Sequence, residues 1–274
     1  MATQLEKCEQ FNLLHQEPGA FIIPNPWDAG SAKLLQGMGF KALATTSAGL
    51  AYTLGRVDGE VSLEDKLLHC KQVTAATTIP ITADFENGFA HEPEKVAINV
   101  RSVIETGVAG CSIEDYNPDL ELIYDFSLAV ERIAAAAEVI AAQNLPVLLT
   151  ARAENLLRGV KDLDDTISRL QAYESAGAQV LYAPGIANLE QLKQVTDELN
   201  HPFNVLAPFI RDASVEGFAR AGAKRISVGG ALHWAALNPV MVAGEEMLQR
   251  GTFSWAGNTA NSGDVNKLLR ESGE

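Results

Sequence analysis

The segment ITADFENGFA, residues 81–90, carries an apolar run straight into Asp84, Glu86 and Gly88. Side chains two apart on a strand point the same way, so this spacing predicts two carboxylates projecting together from a strand end. Other groups capable of chemistry follow similar apolar runs: Asp28; Thr45, Thr46 and Ser47, with Asp58 in the loop beyond; Glu114 and Asp115; Arg152 and Glu154. Like charges gathered within a few ångströms repel unless some are protonated or a cation sits among them. Hard oxygen ligands of this kind suit Mg²⁺ or Mn²⁺. Asp84 and Glu86 are therefore expected to hold a divalent metal, directly or through water, with Gly88 letting the next loop turn close to it. Asp28 and Asp115 are assigned to helix capping or ion pairing, a common role for an acid in a loop that enters a helix.

Absences narrow the chemistry. Lys41, Lys66, Lys71, Lys95, Lys161, Lys193 and Lys224 fall before strands or on helices, so no lysine is placed to form a Schiff base at a strand end. There is no HExxH motif or histidine cluster for zinc. His91 is read as a loop histidine and Cys111 as a small core residue. The SVGG at 227–230 stands where many barrels hold phosphate, but two glycines alone are a weak signal.

The elements that must position these groups alternate in type. Eight short apolar runs read as strands: FIIP (21–24), ALATTS (42–47), PITADFE (80–86), GCSIED (110–115), PVLLTAR (146–152), VLYAPG (180–185), FNVLAPF (203–209) and RISVGG (225–230). Segments of helical period lie between them, and MGFKALA, TGVAGCS, AGAQVLY and AGAKRIS share a helix-ending glycine before a strand. Strands alternating with helices imply parallel βαβ units. Eight such units in one chain predict a (β/α)8 TIM barrel, whose active site lies at the C-terminal ends of the strands. The expected organisation is one catalytic barrel over residues 1–250 and a C-terminal tail over 251–274.

The chain has 274 residues, 35 Asp and Glu against 21 Lys and Arg, and a formal charge of −14, which argues against a nucleic-acid partner. No apolar run reaches the roughly 18 residues needed to span a bilayer, and the N-terminus has no export-type apolar core. Three cysteines without CxxC spacing suit reduced thiols and a cytoplasmic location.

In this order, ALATTSAGLAYTLGRVD, ITADFENGF, GVAGCSIED and LLTARAE resemble the isocitrate lyase and phosphoenolpyruvate mutase superfamily over most of residues 18–235. The resemblance implies a Mg²⁺-dependent barrel acting on C–C or P–C bonds beside a carboxylate, through the enolate of an α-oxo acid. It implies that Asp84 ligates the metal directly while Asp58, Glu86 and Glu114 hold its water shell. Arg152 would bind the substrate carboxylate or the developing enolate oxygen, and backbone N–H groups of Thr46, Ser47 and Ala48 would hold the carboxylate. Arg152, Glu114 and Asp58 thereby become the expected catalytic groups, with the proton carrier open among Tyr52, Tyr116, Glu114 and water.

The lyases of this superfamily that cleave isocitrate or methylisocitrate carry a K-[KR]-C-G-H type loop after the fourth strand, where this chain reads YNPDLELIYDFS. Its sixth and seventh strands end in YAPG and LAPF, where those lyases place polar groups for a second carboxylate. The resulting expectation is a C–C lyase for a small 2-hydroxy or 2-oxo carboxylate. The alternatives are P–C chemistry on phosphonopyruvate or phosphoenolpyruvate, and a barrel that binds an oxo acid without turnover. The resemblance also implies a homodimer or homotetramer that exchanges a C-terminal helix between subunits.

Overall fold

A computed structural model describes residues 2–271; positions 272–274 of the expected tail lie outside the described residues. The strands are β1 (Phe21–Ile23), β2 (Leu43–Ala44), β3 (Ile81–Asp84), β4 (Gly110–Glu114), β5 (Tyr116–Asn117), β6 (Leu122–Ile123), β7 (Leu148–Arg152), β8 (Val180–Tyr182), β9 (Phe203–Leu206) and β10 (Ala223–Ser227). Eight of them form one parallel sheet in the order β1-β10-β9-β8-β7-β4-β3-β2. Ala44 N–H donates to the Pro24 carbonyl at 3.1 Å and bridges the remaining seam between β1 and β2. The sheet thus closes into the expected (β/α)8 barrel, and each of the eight apolar runs supplies one barrel strand. β5 and β6 form a separate antiparallel hairpin inside YNPDLELIYDFS, a segment without an expected element.

The helices are α1 (Gln4–Gln16), α2 (Ala29–Gly37), α3 (Ser47–Thr53), α4 (Leu63–Ala76), α5 (Pro93–Ile104), α6 (Phe126–Ala141), α7 (Leu163–Ser175), α8 (Leu189–Asp197), α9 (Val215–Arg220), α10 (Ala231–Arg250) and α11 (Ser262–Glu271). α5 shows how the sequence seats them: Val96, Val100, Val103 and Ile104 recur at helical spacing and are buried against the sheet. The four repeated glycines before strands, Gly39, Gly107, Gly177 and Gly222, all take left-handed φ of 89–104°. Asp28 caps α2 by accepting from Ser31 N–H at 2.6 Å, as assigned from sequence.

α1 covers the N-terminal end of the barrel. Buried Lys7 donates to the Thr74 and Thr77 carbonyls at the end of α4, and Phe11 lies against Gly110 at the start of β4. At the other end of the chain, α10 leaves Val240, Met241 and Leu248 at least 67% exposed, whereas α11 lies against α2. Among the described residues, no helix is long and apolar enough to cross a membrane.

Candidate active site

Asp84 closes β3 at the C-terminal mouth of the barrel. One oxygen accepts from Arg152 Nη1 at 2.7 Å and the other from Ser47 N–H at 3.0 Å. Burial alone would raise this carboxyl. Arg152, Lys66 and the Ser47 bonds overrule burial and hold it below the ordinary range, so Asp84 is ionised at neutral pH.

Glu86 does not share a strand face with Asp84, contrary to the expectation from their spacing. β3 ends at Asp84, and Glu86 sits in the following turn at φ 49°, a left-handed conformation that costs a non-glycine residue about 1–3 kcal/mol. The turn is fixed by its neighbours. Glu114 N–H donates to the Glu86 carbonyl at 2.9 Å, Gly88 at φ 78° lies against Val96 and Ile113, and buried Arg132 donates to the Asn87, Ala90 and His91 carbonyls. Burial, followed by the nearby Asp84 and Asp58, pushes the Glu86 carboxyl up to about 7 against the opposing charges of Lys66 and Arg152, and its buried Oε1 has no hydrogen-bond partner.

Arg152, at the end of β7, is the hub. It reaches Asp84, Glu114 Oε2 at 3.1 Å and Glu154 Oε1 at 2.7 Å, and lies 5.1 Å from the centre of the Tyr182 ring. Burial would weaken its charge, but Glu154, Glu114 and Asp84 more than restore it. Glu114 is raised well above the usual carboxylate range by burial and by Glu154, Asp84 and Glu86, against the pull of Arg152. Asp58 stands on the rim, exposed on one side; desolvation on the other raises its carboxyl, opposed by a hydrogen bond with the Ser47 side chain. Thr46 caps α3 by accepting from Gly49 N–H, which sets Ser47 and Ala48 in that helix's first turn.

Two hollows meet at Arg152. The inner one, of about 240 Å³, is lined by Thr46, Ser47, Ala48, Asp58 and Asp84. The outer one, of about 340 Å³, is lined by Ser47, Asp58, Glu86, Glu114, Tyr116 and Arg158. The expected site residues therefore gather at one mouth but are shared between two compartments, with Ser47, Asp58 and Arg152 facing both. Among the described residues, no three His, Cys, Asp or Glu side chains are grouped closely enough to hold a metal ion by themselves.

Lys66 belongs to the site although it lies on α4. It is fully buried, and its Nζ donates to Thr45 Oγ1 at 3.3 Å, the same oxygen that accepts from Asp84 N–H. Its signal was a lysine three residues after Leu63 and four before Cys70, on the core-facing stripe of α4. Other groups keep the roles read for them. Asp115 is sealed in a network with Tyr173 OH, Arg169 and Glu154 N–H, and His91 pins Tyr124 and Asp119. Cys111 is buried, and burial pushes its thiol up to about 12. Of the proton-carrier candidates, Tyr52 packs on His233 and Tyr116 stacks on Arg158 at 3.5 Å.

The sequence matches the phosphoenolpyruvate phosphomutase family over residues 11–248. The chain belongs to that family. It is 46% identical to a Burkholderia cenocepacia J2315 protein of known crystal structure, given only the provisional description lyase/mutase; the TM-score is 0.93 and the match covers 97% of this chain and 96% of that one. It is 31% identical over 185 residues to 2-methylisocitrate lyase of Escherichia coli, covering 64% of this chain and 61% of the relative. It is 26% identical over 242 residues to oxaloacetate decarboxylase of Pseudomonas putida, covering 83% and 80%.

Proposed function

We propose that the chain is a Mg²⁺-dependent lyase that cleaves a C–C bond of a small 2-hydroxy or 2-oxo carboxylate, leaving the bonding electron pair as an enolate. The observation that carries the reading is the charge pattern at Arg152: an ionised Asp84 on one side, and on the other Glu86 and Glu114, two carboxyls raised by burial and then by the neighbouring acids. Crowded acids with a buried, unpartnered Glu86 oxygen suit a divalent cation, with Mn²⁺ as a substitute. Asp84 would hold it directly and Asp58, Glu86 and Glu114 through water. When bound, the metal supplies Lewis-acid stabilisation of negative charge on the substrate oxygens.

The chain's own groups do the rest. Arg152 binds the substrate carboxylate or the oxygen on which enolate charge grows, and Glu154 orients it by accepting from its Nε and Nη2. The first-turn N–H groups of α3 have no partners within the helix. Ser47 N–H is taken by Asp84, so of the three expected donors Thr46 and Ala48 N–H are left to meet the carboxylate. Asp58 and Glu86 bring rim charge that the cation must balance.

Oxaloacetate decarboxylase and 2-methylisocitrate lyase among the relatives support this class of chemistry. P–C chemistry on a phosphonate is the second reading, favoured by the family match itself. A phosphoryl group needs further positive charge, however, and Arg56 is spent on Asp65 at 2.6 Å while Arg158 faces Glu154 and Glu114. The exposed apolar side of α10 suits helix exchange in a dimer or tetramer, with residues 251–274 as an appendage to the 1–250 barrel. Three buried thiols suit a reducing cytoplasm.

The test is NMR detection of products from oxaloacetate, methylisocitrate, 2,3-dimethylmalate, isocitrate and phosphonopyruvate, with Mg²⁺ and with EDTA. Metal-dependent pyruvate or glyoxylate formation is expected, and Asp84→Asn should lower turnover by roughly a hundredfold or more while weakening Mn²⁺ binding. Turnover of phosphonopyruvate alone would move the chain to the P–C reading, and undiminished activity in Asp84→Asn would end the metal assignment.

A further inference from the structure

The inner cavity continues below the level of Arg152. Thr150 stands two residues before Arg152 on β7, and Thr82 two before Asp84 on β3, so each takes the same strand face one layer further in, roughly 7 Å along the strand. Arg225 on β10 reaches that layer: its Nη2 donates to Thr150 Oγ1 at 3.1 Å and its Nε to Asn204 Oδ1 at 2.8 Å. Thr82 and Arg225 line the same hollow of about 240 Å³ as Asp84 and Arg152.

The deeper layer carries a positive charge that nothing balances. Arg152 is matched by three carboxylates and Arg169 by two, whereas among the described residues no carboxylate pairs with Arg225. Burial pulls its guanidinium down to about 10, which leaves it charged at neutral pH. Thr150 and Asn204 are neutral acceptors and do not cancel that charge, and a buried charge without a counter-ion is costly. Two polar atoms of the same layer are unsatisfied as well: Arg225 Nη1 and Thr82 Oγ1 are buried without hydrogen-bond partners.

We infer that Arg225 and Thr82, on the floor of the inner cavity, form a second anion subsite that receives the far carboxylate of a substrate whose 2-oxo or 2-hydroxy acid head is held at Arg152. This rests on the proposed function and names the groups that set specificity within it. The strands ending in YAPG and LAPF offer no charge for such a group, and β10 supplies it from two residues inside its own end. The carboxylate brings the missing counter-charge, and its oxygens give the unpartnered Nη1 and hydroxyl their acceptors. Inside a barrel of low dielectric that attraction acts over several ångströms. The single charge of Arg225 balances one carboxylate and falls short of a phosphonate dianion.

The test uses calorimetry on the full chain loaded with Mn²⁺. Oxalate, too short to reach from Arg152 to the deeper layer, reports on the proposed function by itself. 2-Oxoglutarate and 2-oxopentanoate then form a pair with the same head group and the same number of carbons, ending in carboxylate and in methyl. The wild-type protein is expected to bind oxalate and to prefer 2-oxoglutarate at least tenfold. Arg225→Met should remove that preference, with oxalate binding by the variant showing that the head site is intact. Thr82→Val should reduce the preference roughly threefold and serves if the first variant does not fold. Equal or tighter binding of 2-oxopentanoate by the wild type, or a preference that survives both substitutions, overturns the inference and leaves the proposed function standing. Formate bound together with 2-oxopentanoate, with no gain for 2-oxoglutarate, assigns the floor to a separate small anion and also overturns it. Failure of oxalate to bind overturns both.

Discussion

Glu86 shows how much of this site lies in single side chains. Its carboxyl, pushed up to about 7 from an ordinary value of 4.5, binds a proton in the folded chain that the unfolded chain has already released between those pH values. The stability it contributes is complete below about 4.5 and is lost as pH rises through 7. A cation reverses this preference by favouring the ionised form. The metal-free protein should therefore melt at a lower temperature at pH 8 than at pH 5.5, when followed with its other carboxylates intact and compared with Glu86→Gln, which should lack that component. Mn²⁺ affinity, measured by titration calorimetry, should rise across pH 6–8. Lys66 is the largest opposing charge acting on Glu86, so Lys66→Met should move the midpoint of that rise upward.

Gly185 illustrates the constraints between elements. It follows β8 at φ 97°, and a Cβ there would stand 2.8 Å from Leu157 N and 2.9 Å from the Leu156 carbonyl carbon. Both the left-handed conformation and the backbone contact exclude a side chain, so the turn after β8 presses directly on the loop after β7. Gly185→Ala should destabilise the protein by about 1–3 kcal/mol in denaturant unfolding. It should also displace Leu157, which lines both hollows that meet at Arg152, and so raise KM in steady-state turnover. By contrast, Asp28→Ala removes only the cap of α2 and should cost about 1 kcal/mol with activity retained.

For the molecule as a whole, buried His69 and half-buried His15 set the acid limit. His69 is lowered to about 4 and His15 to about 3, in each case chiefly by burial, with Lys66 adding to the first and Arg225 to the second. An unfolded histidine with its ordinary value near 6.5 binds protons that the folded one refuses. The stability they contribute is present above pH 6.5 and lost as pH falls toward 4. His69→Gln should flatten this part of the stability curve measured by chemical denaturation between pH 7 and 4. The exposed Val240, Met241 and Leu248 on α10 make a further whole-molecule prediction: sedimentation should give a mass of two or four chains, and Met241→Glu with Leu248→Glu should lower it.

Strand count, barrel closure and the mouth at which the acids and Arg152 gather were legible in the sequence, because they rest on local patterns: short apolar runs, helical stripes such as that of α5, and glycine-ended helices. The acids and Arg152 were legible for the same reason, since each ends or follows such a run. The projection of Glu86 was not, because its direction depends on a left-handed turn held by Arg132 and Glu114, residues far away in sequence. Lys66 was hidden because helix spacing says which face a residue takes but not which strand end its ammonium reaches. The same holds for Arg225: the sequence shows an arginine in a strand, and only the tertiary structure decides that Asn204 and Thr150 take its Nε and Nη2 while its Nη1 stays buried without a partner. Local pattern determines which elements form and which residues end them; the direction of a charge and the partners it finds depend on packing between elements that no single segment contains.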